Sequence, residues 1–414
     1  MRQILKDRGL RLVFSANLVS MVGSGMNSAA VIWYILQATH SEAALGWLLV
    51  LQTLPAMLMM PFSGVIIDRE DRRRLVMMLD AGRAAVILLV AGLAFLHRVH
   101  VWQLYLMNIL VAAGFWMFWP TVTALIQELT PGEQFVQSNT LLLAGVQGGW
   151  LLAGAVVGFV YNHIGLGGVL LIDVSSYVVS FLCYLAVRKG KHVVKAPERP
   201  EHATMTAVRR YLHEMREGVS FISGNRAVIA IGTAWSLFTA AMMTQGVVTA
   251  PLTDRILHAG AVGYGWLNGS WAVGAFMSAF FAPALLQRSA KKWMALSLAI
   301  LAACLYTLPL SRFLLVACLL YWVMGTGRGV AGVALNTGMM QLVPKHFMGR
   351  VQNFFYFFGM LLQIVSASIA GQAAHRIALT WAFVIIGTLY ASAFVAAAWP
   401  APQPLRTAEA VASD

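Results

Sequence analysis

Long apolar runs dominate this chain, and short polar segments punctuate them. A bilayer-spanning helix needs about 20 apolar residues. Runs of that kind fall near 12–36, 44–66, 75–97, 101–127, 137–161, 168–188, 226–249, 261–286, 293–310, 312–340, 351–373 and 378–399. The pattern predicts an all-α membrane protein of twelve transmembrane helices. Residues 188–204 hold Lys, Arg, Pro and His and no apolar run, so the chain divides into two six-helix halves. The expected organisation is an N-terminal bundle at 1–188, a linker at 189–225, a C-terminal bundle at 226–400 and a tail at 401–414. In the linker Val208, Leu212, Met215, Val219 and Ile222 recur at helical spacing, with Arg209, Arg210, His213, Glu214, Arg216 and Glu217 on the other face. This stretch is too polar to span. It reads either as a helix lying on the membrane surface or as a solvated linker helix.

Two further patterns refine the layout. Asp68-Arg69-Glu70-Asp71-Arg72-Arg73-Arg74 places seven charges between two apolar runs. Such a cluster cannot sit in hydrocarbon, so it marks a tight turn between the second and third helices. The halves also echo each other. Leu129-Thr-Pro131 follows the fourth run and Leu342-Val-Pro344 the tenth, an offset of 213 residues. Proline just after a helix end is a stop signal, and its recurrence at corresponding loops predicts two parallel repeats.

Composition agrees with a bilayer as solvent: 59% of the residues are hydrophobic, 11% are charged, and the mean hydropathy is +0.72. Soluble domains carry about 25% charged residues. The net charge of +13 could suggest nucleic acid, but its distribution says otherwise. Of 29 Lys and Arg, 23 fall on one side of the twelve-span layout. Only Arg98, Arg255, Arg312 and Arg376 fall on the other, and Arg83 and Arg328 lie within spans. The positive-inside rule makes the basic side cytoplasmic, together with both termini. No nucleic-acid partner is expected. Cys183, Cys304 and Cys318 lie in apolar runs and read as packing residues, so no metal site is expected. No phosphate-binding loop, zinc-protease helix or nucleophile elbow occurs, which leaves no enzyme class and no cofactor indicated. The lead from Met1 into the first apolar run lacks a small-residue cleavage site and reads as a retained span.

Transport needs polar groups inside the membrane, where they are expensive to hold. Arg328, in Gly325-Thr-Gly-Arg328-Gly-Val-Ala-Gly332, lies deep in the tenth span. It would attract an anionic group of a solute, or else pair with a carboxylate to lock two helices. Its small neighbours allow close helix approach. Asn27, Gln147, Gln245, Trp116 and Trp119 could join it in an amphipathic cavity. Asp80 and Arg83 share a helical face three residues apart. Asp173 is expected near the external end of the sixth span, with no acid at mid-membrane. These three residues are the candidates for ion coupling, the ion being a proton. Gly154-Ala155-Val-Val-Gly158 in the fifth span reads as a helix-packing site.

The charged turn carries a resemblance. Gly64-x-x-x-Asp68-Arg69-x-x-Arg72-Arg73 resembles the motif between the second and third helices of the major facilitator superfamily, with Asp71 where that motif has glycine. Phe118-Trp-Pro120, Asn139-Thr140, Glu217-Gly-Val-Ser-Phe-Ile222, Leu342-Val-Pro344 and Gly349-Arg350-Val351 look like its exporter branch, which includes the enterobactin exporter and macrolide-efflux proteins. Ser24 stands where many drug exporters carry an acid, Asn108 near where an arginine often occurs, and Ala155 at the proline of an exporter motif. The resemblance implies two pseudo-symmetric six-helix bundles and a rocker-switch exporter driven by an ion gradient. It implies a cytoplasmic clamp made by Gly64, Asp68, Arg69, Arg72 and Arg73. The expected solute is an amphipathic small molecule, a siderophore being one candidate and a macrolide or other drug the alternative. Import and a sensor role are weaker alternatives. The expected setting is a bacterial inner membrane, with the lipid bilayer as partner and a monomer as the unit.

Overall fold

The computed structural model describes residues 7–130, 135–187, 207–344 and 347–398. No strand occurs among them. The helices are α1 (Arg8–Thr39), α2 (Glu42–Arg69), α3 (Arg72–Phe95), α4 (Val101–Leu129), α5 (Phe135–Ala186), α6 (Ala207–Ser223), α7 (Arg226–Thr244), α8 (Gly246–Pro251), α9 (Gly260–Thr307), α10 (Leu314–Leu342), α11 (Met348–Arg376) and α12 (Leu379–Ala398). A π turn, Leu252–Ile256, follows α8.

Two of these helices hide a loop. The backbone of α5 breaks at Gly165, where φ is 65°, a left-handed value that glycine adopts without steric cost. That of α9 breaks at Ser289. Both breaks fall between apolar runs of the sequence. Splitting α5 and α9 there gives twelve crossing helices. Ten helical segments among the described residues are long and apolar enough to cross a membrane on their own.

Local chemistry sets several ends. Asp71 caps α3 by accepting a hydrogen bond from the Arg74 amide at 3.1 Å. His100 opens α4 with a capping box completed by Gln103. His40, His97 and His258 sit in the left-handed region, with φ between 48° and 53°. They occupy turns on one face of the molecule, and histidine tolerates that conformation better than most residues do.

The two halves are built alike. In the first, α1 packs on α5, α2 on α4, and α3 on α4 and α5; in the second, α7 packs on α11 and α12, and α9 on α10 and α12. The helices α4 and α10 both start and end 213 residues apart, which is the offset of the Leu-x-Pro echo. Pro131 itself lies outside the described residues. The halves touch through two reciprocal pairs, α2 with α11 and α5 with α9.

Both crossings are close. A Cβ at Gly46 would lie 2.6 Å from the Ala367 carbonyl oxygen, and one at Gly158 would lie 2.2 Å from that of Ala261. Gly154 packs against Asn268, so Gly154 and Gly158 of the fifth span let α5 reach the other half. These crossings lie toward the face that bears Arg98, Arg255, Arg312 and Arg376, hereafter the charge-poor face. The opposite, basic face carries the α2–α3 turn and α6.

The amphipathic stretch forms α6, which docks on the protein. It packs on α11, α2 and α7. Phe221 stacks on Phe347 with ring centroids 4.8 Å apart, Arg350 reaches Glu217 at 3.1 Å, and Ile222 is buried. A solvated linker helix would not bury these contacts. The segment 188–206 and the tail from 399 lie outside the described residues.

Candidate functional site

Polar side chains are costly in hydrocarbon, so where they gather inside the bundle they mark a pathway. Here they gather between the halves, around two adjoining cavities that share Ser28, Trp150 and Met242 in their walls. One cavity, ≈ 300 Å³, has Arg328 in its wall. The other, ≈ 380 Å³, lies against α1, α4 and the second part of α5.

In the first lobe Arg328 is half-buried. Its Nε donates to Met242 Sδ at 3.0 Å, and its guanidinium lies 4.8 Å from the centre of the Trp271 ring, within cation–π range. No carboxylate lies within ion-pairing distance of it among the described residues. Close packing places it there. Gly325 lies against the Trp271 backbone and Gly329 against Ser278, so α10 presses on α9. Gln245 and Tyr321 complete the polar wall, with the Tyr321 hydroxyl donating to Thr249 at 3.0 Å.

The second lobe holds Asn27, Trp116 and Asp173. Asn27 Nδ2 donates to Asp173 Oδ2 at 2.7 Å, and Ser176 Oγ lies 3.3 Å from Oδ1. Gly23 of α1 makes room for this group, since a Cβ there would meet both Ser176 and Asp173. Asp173 is fully buried. The sequence layout put it near the end of the sixth span. It lies eight residues past the Gly165 break, ~12 Å along the helix, where it reaches the wall of the second lobe. The rest of the wall is self-paired. Gln52 donates to Asn108 at 2.7 Å, and Thr53 of one half bonds to Gln363 of the other.

Behind this lobe runs a buried polar chain. Ser24 Oγ and Tyr177 OH are 2.8 Å apart, and Arg83 Nη1 donates to the Tyr177 hydroxyl at 3.4 Å. Arg83 pairs with Asp80, whose other oxygen accepts from Ser180 at 2.6 Å. The guanidinium is sandwiched, 4.5 Å from the Phe118 ring centre and 4.4 Å from that of Tyr177, and Gly114 of α4 leaves it space. Asp80 and Arg83 are thus a paired, ring-clamped unit one layer away from the cavity.

The remaining candidates fall elsewhere. Trp119 lines neither cavity; it packs beside Phe115, at 6.3 Å, and against the core around Leu10 and Phe118. Three residues beyond Trp116, it lies nearly one turn further along α4. The side chains of Gln147, Asp68 and Arg69, and the surroundings of Gly64, lie outside the described residues. Arg72 binds Glu128 at 2.9 Å and the Ala124 carbonyl at 3.1 Å, and Arg73 donates to the Tyr184 carbonyl at 2.7 Å. Both therefore tie the α2–α3 turn to α4 and α5 of their own half.

Sequence reasoning missed Trp150 and Glu42. Trp150 is the bulky residue after Gly148-Gly149, and a ring beside two glycines was the available signal. Glu42 reads in sequence as a first-turn acid of α2. Nothing local reveals that it is wholly buried between the halves, with Arg255 Nη1 at 2.5 Å and His375 Nδ1 at 3.8 Å.

Comparison with known proteins fits this geometry. The family model for the Major Facilitator Superfamily matches residues 13–251. The uncharacterised MFS-type transporter YkuC of Bacillus subtilis is 23% identical over 365 residues, covering 84% of this chain and 81% of its own. Macrolide efflux protein A of Streptococcus pyogenes is 24% identical over 226 residues, about half of each chain. Among solved structures, a mutant of the nucleoside transporter NupG superposes with a TM-score of 0.75 at 13% identity, over 94% of this chain and 99% of its own. A mutant peptide transporter of the POT family gives 0.72 at 14%, over 94% and 93%. Twelve crossing helices in two like bundles, with a polar cavity between them and a family match over more than half of its length, place this chain in the major facilitator superfamily of transporters.

Proposed function

We propose that the protein is a secondary active exporter that moves an amphipathic small molecule across a bacterial inner membrane by alternating access, with a siderophore as our first candidate solute. The supporting observation is Arg328, a cation on the wall of a cavity between the halves with no carboxylate partner among the described residues. A guanidinium held by a ring face and a thioether, with no acid beside it among the described residues, keeps donors for an incoming anion. The 23-to-4 bias of Lys and Arg puts the basic face in the cytoplasm. The sealed, charge-poor face is then external, and this conformation loads from inside. Asp68, Arg69, Arg72 and Arg73 would clamp the cytoplasmic face in the opposite state. The coupling ion in this reading is a proton, and Asp173 is its carrier: a carboxyl whose partners are an amide and a hydroxyl takes up a proton without breaking an ion pair. The working unit is a monomer.

A second reading is macrolide or multidrug efflux. Matches to proteins named for macrolide efflux favour it, as does the aromatic wall of Phe115 and Trp116. One comparison tests both. Culture medium from cells with and without the gene is profiled under low and high iron, and accumulation of a macrolide is measured in the same cells. A metabolite enriched in the medium only with the gene supports the first reading. Reduced macrolide accumulation with unchanged medium supports the second. Neither change would refute export.

A further inference from the structure

We infer that one solute molecule occupies both lobes at once, with an anionic head at Arg328 and an apolar, aromatic body beside Phe115 and Trp116, passing Trp150 at the junction. This rests on the transport reading above and narrows its solute to elongated amphipathic anions.

The two lobes differ in what they leave unsatisfied. In the first, the Arg328 guanidinium has a ring face and a sulfur as partners and no acid among the described residues. In the second, the amides and the carboxyl are already matched: Gln52 to Asn108, Thr53 to Gln363, Asp173 to Asn27. Asp173 lines this lobe but is fully buried and bonded to Asn27 and Ser176, and Asp80 is paired with Arg83 behind it, so neither acid is exposed to a cationic head. A lobe whose polar groups satisfy each other offers the solute apolar contact, while an unpaired cation offers charge. Head and body are thereby assigned to opposite ends.

Each lobe alone is also small. At ≈ 300 and ≈ 380 Å³ each lies at the low end of the range for drug-sized sites, about 300–1,000 Å³. Trp150 and Met242 belong to both walls. Trp150 is braced against α1, where a Cβ at Gly25 would lie 3.3 Å from its ring. A rigid, exposed indole at the junction gives a long body a face to stack along. Met242, unbranched and flexible, adapts to its width.

The test uses the full chain in lipid nanodiscs and a series of ω-phenylalkanoates with two to ten methylenes, their neutral amides and the matching amines. Affinity is measured by tryptophan fluorescence, with free concentrations corrected by empty nanodiscs. We expect acids to bind at least tenfold tighter than amides and amines. We expect affinity to rise about threefold per methylene while the phenyl group moves into the second lobe. Ala112→Phe, which fills that lobe, should abolish the length gain and leave short acids unchanged; Ala112→Leu is the milder variant should the first not fold. Arg328→Gln should erase the preference for acids and keep the length dependence. Equal binding of acids and amides, affinity independent of length, or preference for amines would each overturn the inference. No gradient is involved, so acids that bind in this way to a protein that exports nothing would refute the exporter reading alone. Export of a cation by a protein that ignores these acids would refute this inference alone.

Discussion

Glu42 at the start of α2 forms an ion pair with Arg255 at 2.5 Å, across the boundary between the halves. Arg255 also holds the His40 carbonyl at 2.7 Å, and His375 of α11 stands 3.8 Å from the other carboxylate oxygen. Glu42 is wholly buried, while the Arg255 side chain is 40% exposed. Solvent therefore screens the cation, and the pair is weaker than a fully buried one. Its position gives it leverage, because it closes the charge-poor face at the point where Gly371 lets α11 approach α2.

Glu42→Gln should loosen that face. A shift of about 1 kcal/mol changes the ratio of two conformations about fivefold. Ser28→Cys, on the cavity wall, should then react with an impermeant thiol reagent added outside about fivefold faster than in the parent. Gly158→Ala, whose new Cβ would press on Ala261, should act in the same direction without touching any charge. Unchanged labelling in both would show that these contacts do not close the face.

Orientation is tested separately. In a cysteine-free background, Lys191→Cys and His163→Cys should differ: external reagent should label only the second. Labelling at position 191 from outside would reverse the topology and with it the assignment of the sealed face.

The charged turn allows a division of labour to be measured. Asp71→Ala removes the α3 cap and should cost about 1 kcal/mol of stability, whereas Asp71→Gly, which restores the resembled motif, should cost only a few tenths. Asp68→Asn should express normally, lose transport and raise thiol access from the cytoplasmic side. Normal transport by Asp68→Asn would reduce the turn to a topology signal.

For Asp173 the expected outcome is a split between binding and coupling. Asp173→Asn keeps the hydrogen bond to Asn27 but carries no exchangeable carboxyl proton. Solute binding and downhill exchange should persist within about twofold, and accumulation against a gradient should vanish. Uphill transport by this variant would assign coupling elsewhere.

The helices were legible because hydrocarbon imposes length and composition on every span. The breaks at Gly165 and Ser289, the α6 helix and the 213-residue repeat all follow from that pattern. Asp71 could also be understood locally, since an acid ahead of a helix is a cap. The site was harder to read. Arg328 stood out because a cation in an apolar run is rare. Its lack of an acid partner among the described residues is a fact about α7 and α9, far away in sequence. Trp116 and Trp119 look alike in the chain, and only the rotation of α4 sends one to the lumen and the other to the core. For Asp173 the span was legible but not the neighbours, because Asn27 lies 146 residues away on α1. Glu42 was invisible as a gate because its partners, Arg255 and His375, lie more than two hundred residues away.

The most direct test of the account is the thermal shift that the exported metabolite, once identified from the medium, induces in purified wild type, Arg328→Lys and Arg328→Gln. An anion site predicts a full shift in wild type, a reduced shift in Arg328→Lys, where a point charge remains, and none in Arg328→Gln. All three proteins should be monodisperse, with similar unliganded melting temperatures. An undiminished shift in Arg328→Gln would remove this residue from the site and contradict the account at its centre.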